Sequence, residues 1–236
     1  MFALCLIVAF QPARAVSLIN GGVLSMNGLK LTVSNCSLIL AGWQQSSCAA
    51  GDLALQAVSG SRGTVAYQIV GDGTGSNGTN IFAAVGGGAF NSGLYQLSFT
   101  LAVATTQAGS KVSAATLSAS GVDDYGCWRY CGSDIAARQV FSAAAGGGTL
   151  TSDLQSSPAV SAILAKASAF TINETVTMNF FGSEQYENCW DPETLVLNSV
   201  RQTFSTIREP AAVISLVIGI GGLAMVRPRL RRRHAW

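Results

Sequence analysis

A two-residue period in hydrophobicity limits what this chain can fold into more than any other feature. Tyr95, Leu97, Phe99, Leu101 and Val103 alternate with Gln96, Ser98, Thr100 and Ala102. Successive side chains of an extended strand point to opposite faces, so this stretch reads as a half-buried β-strand. Leu29, Leu31 and Val33 alternate in the same way with Lys30, Thr32 and Ser34, and Val65, Tyr67 and Ile69 alternate with Ala66 and Gln68. Phe170, Ile172, Val176, Met178 and Phe180 share one face, interrupted only by Glu174. Less regular strands are expected near residues 53–59, 111–118 and 195–204. Turn chemistry lies between these runs, at Gly71-Asp72-Gly73, Asn77-Gly78, Gly86-Gly87-Gly88, Asn91-Ser92-Gly93 and Gly146-Gly147-Gly148. One short helix is predicted, with Ser157 as cap, Pro158 in its first turn, and Val160, Ile163 and Leu164 as an apolar stripe ending at Lys166. Many strands and Gly-rich turns predict an all-β chain, an antiparallel β-sandwich of jelly-roll type with this one helix.

The two ends break the pattern. Residues 2–10 form an apolar run that stops at Gln11-Pro12-Ala13-Arg14-Ala15. Pro12 breaks a helix, and Ala13 and Ala15 supply the small side chains that a signal peptidase accepts. Residues 1–15 therefore read as a secretory signal, with the Sec machinery and signal peptidase as partners and cleavage after Ala15, although no Lys or Arg precedes the apolar run. At the other end, Arg208-Glu209-Pro210 is followed by an uncharged apolar run over 211–226 and then by Arg227, Arg229, Arg231, Arg232 and Arg233. In lipid such a run satisfies its backbone only as a helix. It is slightly shorter than the roughly 17–25 residues of a full span, a shortfall that arginines reaching back to the headgroups make up. The arginines keep the C-terminus cytoplasmic, so everything before Glu209 lies outside. Residues 16–206 are then one exported domain, large enough for its own core.

The tail, over about residues 207–233, resembles the PEP-CTERM sorting signal of Gram-negative bacteria. That pattern is Pro-Glu-Pro, an apolar helix and a basic terminus. Glu209 and Pro210 match its second and third positions, and Arg208 stands where the first proline is expected. The resemblance implies recognition by an exosortase, a membrane transpeptidase that cuts near the motif and passes the protein to the cell surface. It also implies a setting of exopolysaccharide and biofilm, with the domain held at the inner membrane in transit. It says nothing of the other nine-tenths of the chain.

Charge and cysteine usage fit export. The whole chain carries +2, but residues 16–206 hold seven cations against eleven anions, a net charge of −4. A mildly acidic domain is a poor partner for nucleic acid. Cys5 leaves with the signal, and Cys36, Cys48, Cys127, Cys131 and Cys189 remain for an oxidising compartment. The pairing expected is Cys36–Cys48 and Cys127–Cys131 with Cys189 left over; the alternative joins Cys189 to Cys127 or Cys131.

The chemistry-bearing patterns are thin. The only histidine, His234, lies in the tail, so the exported domain has no Ser-His-Asp or Cys-His system and no histidine metal ligand. Gly73-Thr74-Gly75-Ser76-Asn77-Gly78 fits a dinucleotide loop, but a strand-like stretch follows it where a helix is needed, so it reads as a hairpin loop. Asp123 with Asp124, Glu184 with Glu187, and Asp191 with Glu193 are carboxylate pairs that read as solvated loop residues before they read as an acid and a base. No catalytic residue, cofactor or metal is assigned. Trp128 and Trp190 stand beside cysteines and acidic residues, where they either pack on cystines or stack on sugar rings. The expectation is a non-enzymatic surface protein with a structural or adhesive role in the matrix. The alternative is a carbohydrate-binding module on the same anchor, with exopolysaccharide as partner.

Overall fold

A computed structural model describes residues 15–40, 43–45, 48, 53–58, 63–71, 73, 79–86, 93–124, 132–154, 159–181 and 193–209. Fourteen strands run through them, with one 3-10 turn at Ala143–Ala145 and no α-helix among the described residues. The strands form two seven-stranded antiparallel sheets. The first has the order β1 (Ala15–Ser17), β5 (Leu53–Val58), β6 (Thr64–Gly71), β14 (Glu193–Arg208), β9 (Ser110–Asp124) and β12 (Ala159–Ala167), with β7 (Phe82–Gly86) also on β14. The second has the order β11 (Thr149–Asp153), β10 (Gly132–Phe141), β13 (Ala169–Phe181), β8 (Gly93–Thr105), β3 (Leu29–Leu40) and β2 (Val23–Met26), with β4 (Trp43–Gln45) on β3.

Every strand expected from the two-residue period is present, and its apolar face is the buried one. Leu97, Phe99, Leu101 and Val103 of β8 and Ile172, Val176 and Met178 of β13 are buried. They meet Val65, Tyr67 and Ile69 of β6 and Leu195, Leu197, Val200 and Phe204 of β14 from the other sheet. Burying a side chain of this size stabilises by about 1.5–3 kcal/mol. An aromatic chain ties the layers together. Tyr67 and Phe204 have centroids 6.1 Å apart, Phe204 meets Phe170 edge-on at 6.0 Å, and Phe170 meets Phe141 at 6.3 Å.

Local chemistry sets the register. Met26 faces Leu29 across a two-residue turn, Asn27-Gly28, with φ of 40° and 88°. That left-handed pair is what a tight hairpin needs to match the strand twist. In β3 the pairing with β8 shifts between Ser34 and Ser37, and Asn35 there has φ 52°. This bulge places Ser34 and Asn35 outward in succession and turns Cys36 and Leu38 into the core. Gly121 lies opposite Leu197 beside another register shift. A Cβ at Gly121 would run into the Val196 carbonyl oxygen and come within 3.2 Å of Leu197 Cα, both of them backbone. Gly121→Ala is therefore expected to cost about 1–3 kcal/mol by overpacking, measured by urea denaturation.

The predicted helix is a correction. Residues 159–167 form β12, the edge strand of the first sheet, paired to β9 from Ala159 opposite Ser118 to Ile163 opposite Ala114. Ser157 and Pro158 lie outside the described residues. The open backbone of β9 takes up β12, and the supposed helical stripe is split: Leu164 is buried and Ile163 is 93% exposed. No helix among the described residues is long and apolar enough to cross a membrane, and the run over 211–226 lies outside them.

Candidate functional site

The junction with the tail is part of the folded domain. Arg208 is the last residue of β14 and lies opposite Ser110. Its Nη2 donates to Gln107 Oε1 at 2.8 Å. Glu209 donates its backbone N–H to the Gly109 carbonyl at 2.9 Å, and its Oε1 stands 2.8 Å from Lys111 Nζ. Gln107 and Gly109 of the turn joining β8 to β9, with Lys111 at the start of β9, thus hold Arg208 and Glu209. Lys111 and Glu209 are 32% and 48% exposed, so their ion pair contributes under about 1 kcal/mol and can open readily. Pro210 and the arginines at 227, 229, 231, 232 and 233 lie outside the described residues.

At the other end, Ala15 opens β1 and faces Gln56, while Val16 faces Leu55 and Ser17 faces Ala54. Ala15 makes one of the three pairs of β1, and Val16 and Ser17 make the other two. Ala13 lies outside the described residues. Cys36 and Cys48 form a disulfide with Cα atoms 5.7 Å apart, as expected. Both are buried, and closing a loop of this separation stabilises by about 3 kcal/mol through the unfolded chain. Cys127, Cys131, Cys189, Trp128 and Trp190, and the carboxylates Glu184, Glu187 and Asp191, lie outside the described residues. Asp123 and Asp124 stand in β9 and Glu193 in β14, so these three are strand residues and not the loop carboxylates expected.

Two polar assemblies come from the fold and not from any motif. The first is in the core. Gln139 of β10 faces Glu174 of β13, and Tyr67 of β6 faces Gln202 of β14. All four are buried. Gln139 Nε2 donates to Glu174 Oε2 at 3.0 Å, and the Tyr67 hydroxyl, from the opposite sheet, donates to the same oxygen at 3.3 Å. Burial pushes the Glu174 carboxyl up to about 7 from the model-peptide value, while hydrogen bonds from Gln139 and Tyr67 pull it back. Burial, then the Glu174 charge, pushes the Tyr67 phenol well above its usual 10. Gln139 Oε1, Glu174 Oε1 and both amide atoms of Gln202 have no hydrogen-bond partner among the described residues. Enclosed between the sheets, this group crosses the layers and orders the centre of the sandwich.

The second assembly is an open groove of about 590 Å³ on the first sheet, where β5, β6 and β14 meet the segment before β7. Gln56, Gln68, Thr79, Asn80, Asn198 and Ser199 supply its polar lining, and among the described residues no charged side chain lines it. Gln68 Nε2 donates to Gln56 Oε1 at 2.7 Å. Its polar residues come from four stretches of sequence that only sheet pairing assembles, and Ala15 of β1 adds a fifth. No protein-family model and no curated protein matches this chain.

Proposed function

We propose that this chain is an exported, surface-directed protein without enzymatic activity. A jelly-roll-like sandwich is carried through the Sec route, held by one C-terminal helix and handed to an exosortase, for a structural or adhesive role in an exopolysaccharide matrix. The observation that carries the reading is the order of the C-terminus: β14 ends at Arg208, where a polar motif, an uncharged apolar run and an arginine cluster follow in sequence. The Cys36–Cys48 disulfide adds support, since a buried cystine suits an oxidising compartment. The jelly-roll description draws on strands that change sheets as the chain proceeds, from β8 to β9, β9 to β10, β11 to β12 and β13 to β14. The alternative, a carbohydrate-binding module on the same anchor, draws on the amide-lined groove.

Export has a direct chemical readout. Expressed in a Gram-negative host, the full chain is expected to hold Cys36 and Cys48 as a cystine that resists alkylation. Deleting residues 2–15 should leave both thiols free in the cytosol. Free thiols at both positions in the full chain would rule out the exported reading.

A further inference from the structure

We propose that the groove on the first sheet binds a neutral carbohydrate chain, an inference that rests on the carbohydrate-binding reading and gives it residues. An amide presents a donor and an acceptor at fixed spacing, and each sugar hydroxyl is both donor and acceptor. Four amides meet here. The bond from Gln68 Nε2 to Gln56 Oε1 fixes two of them and leaves a Gln56 NH2 and a Gln68 carbonyl for a ligand. Asn80 and Asn198 make no side-chain hydrogen bond among the described residues, and each amide brings a donor and an acceptor to the groove. Thr79 and Ser199 add hydroxyls beside them.

The ligand class follows from what the lining lacks. Among the described residues no carboxylate, ammonium or guanidinium lines the groove. A charged ligand entering it would lose hydration with no counter-charge, which is costly. A peptide would look for apolar side-chain pockets, and the apolar lining here is only alanine, glycine and one valine. A neutral polyhydroxylated chain needs neither. The open shape suits a polymer lying across the sheet better than a single sugar enclosed on all sides. With no aromatic platform among the described lining residues, binding rests on hydrogen bonds alone, which places the dissociation constant at roughly 0.1–1 mM.

The test uses the full chain in a zwitterionic detergent, since a glycosidic detergent would compete. The probes are cellohexaose, chitohexaose, laminarihexaose and isomaltohexaose, with an oligogalacturonate as charged control, measured by titration calorimetry. At least one neutral oligosaccharide is expected to bind saturably and better than the control. Asn80→Ala with Asn198→Ala should weaken it at least about tenfold with an unchanged melting temperature. Asn198→Asp, which keeps the shape and adds a charge, should weaken it as well. Ser98→Ala, on the outer face of the other sheet, should not. Binding that survives both groove variants but is lost in Trp128→Ala or Trp190→Ala overturns the groove and leaves the carbohydrate-binding reading standing. No binding by any neutral probe overturns both.

Discussion

Replacing Phe204 by alanine is expected to lower the stability of the sandwich by about 3–5 kcal/mol. At this size of chain each kcal/mol moves the melting temperature by about 2–4 °C, so the transition should fall by roughly 10 °C or more. Phe204 is fully buried on β14, the strand flanked by β6 and β7 on one side and β9 on the other. Its ring meets Tyr67 within its own sheet and Phe170 of the facing one, so truncation opens a cavity where the two layers join. Ile163→Ala is the matched control. That side chain is 93% exposed, and its loss should stay within about 0.5 kcal/mol. A Phe204→Ala protein within 1 kcal/mol of the parent would mean that the layers are not packed as described.

The second large effect is a reversed pH dependence. Most carboxylates stabilise a fold as they ionise, and Glu174 should do the opposite. Its folded pKa of about 7 lies above the model-peptide value of 4.5, so the folded state holds the proton more tightly than the unfolded chain. Where the folded state binds more protons, stability falls as pH rises. The contribution is complete below about pH 4.5, declines between 4.5 and 7, and is gone above. The difference corresponds to about 3 kcal/mol. Burial is the cause, and the groups touching the carboxyl are the neutral Tyr67 and Gln139. Glu174→Gln keeps an acceptor for both donors and carries no charge at any pH. At pH 8 the variant should be more stable than the parent, with its curve flat from pH 5 to 8 as far as this site is concerned. Parallel curves for parent and variant, measured by chemical denaturation, would contradict the assignment.

Much of the fold was legible because a strand writes its burial into sequence parity. The alternation around Leu97 and Phe99 named the buried face of β8 directly, and the parity of Ile172 and Val176 put Glu174 inward despite its charge. The misreading of residues 157–166 has an equally simple cause. Val160 and Leu164 are four apart, a spacing that serves one face of a helix and one face of a strand alike. What decides between them is the unpaired edge of β9, which no local pattern reports. The bulge at Asn35 was hidden because alternation cannot announce its own phase change, although the cysteine pairing expected beyond it required Cys36 to face inward.

The sites divide along the same line. The tail junction is contiguous in sequence and could be read there, while its partners Gln107, Gly109 and Lys111 could not, being about a hundred residues away in the chain. The partners of Glu174 come from two other strands, β10 and β6. The groove has no sequence signature at all. Gln56, Gln68, Asn80 and Asn198 belong to residue types that usually decorate a surface, and their meaning comes only from converging on one groove.

The central claim is that the sandwich is a folded cargo between two processed ends. Intact mass of the protein recovered from the surface of a Gram-negative host carrying an exosortase, denatured but not reduced, tests it most directly. The expected species begins at Val16, ends near Pro210 without residues 211–236, and is lighter than the reduced chain by four hydrogens, two for the Cys36–Cys48 cystine and two for the second cystine expected among Cys127, Cys131 and Cys189. A surface protein whose mass retains residues 1–15 or the whole of 211–236 would contradict the account.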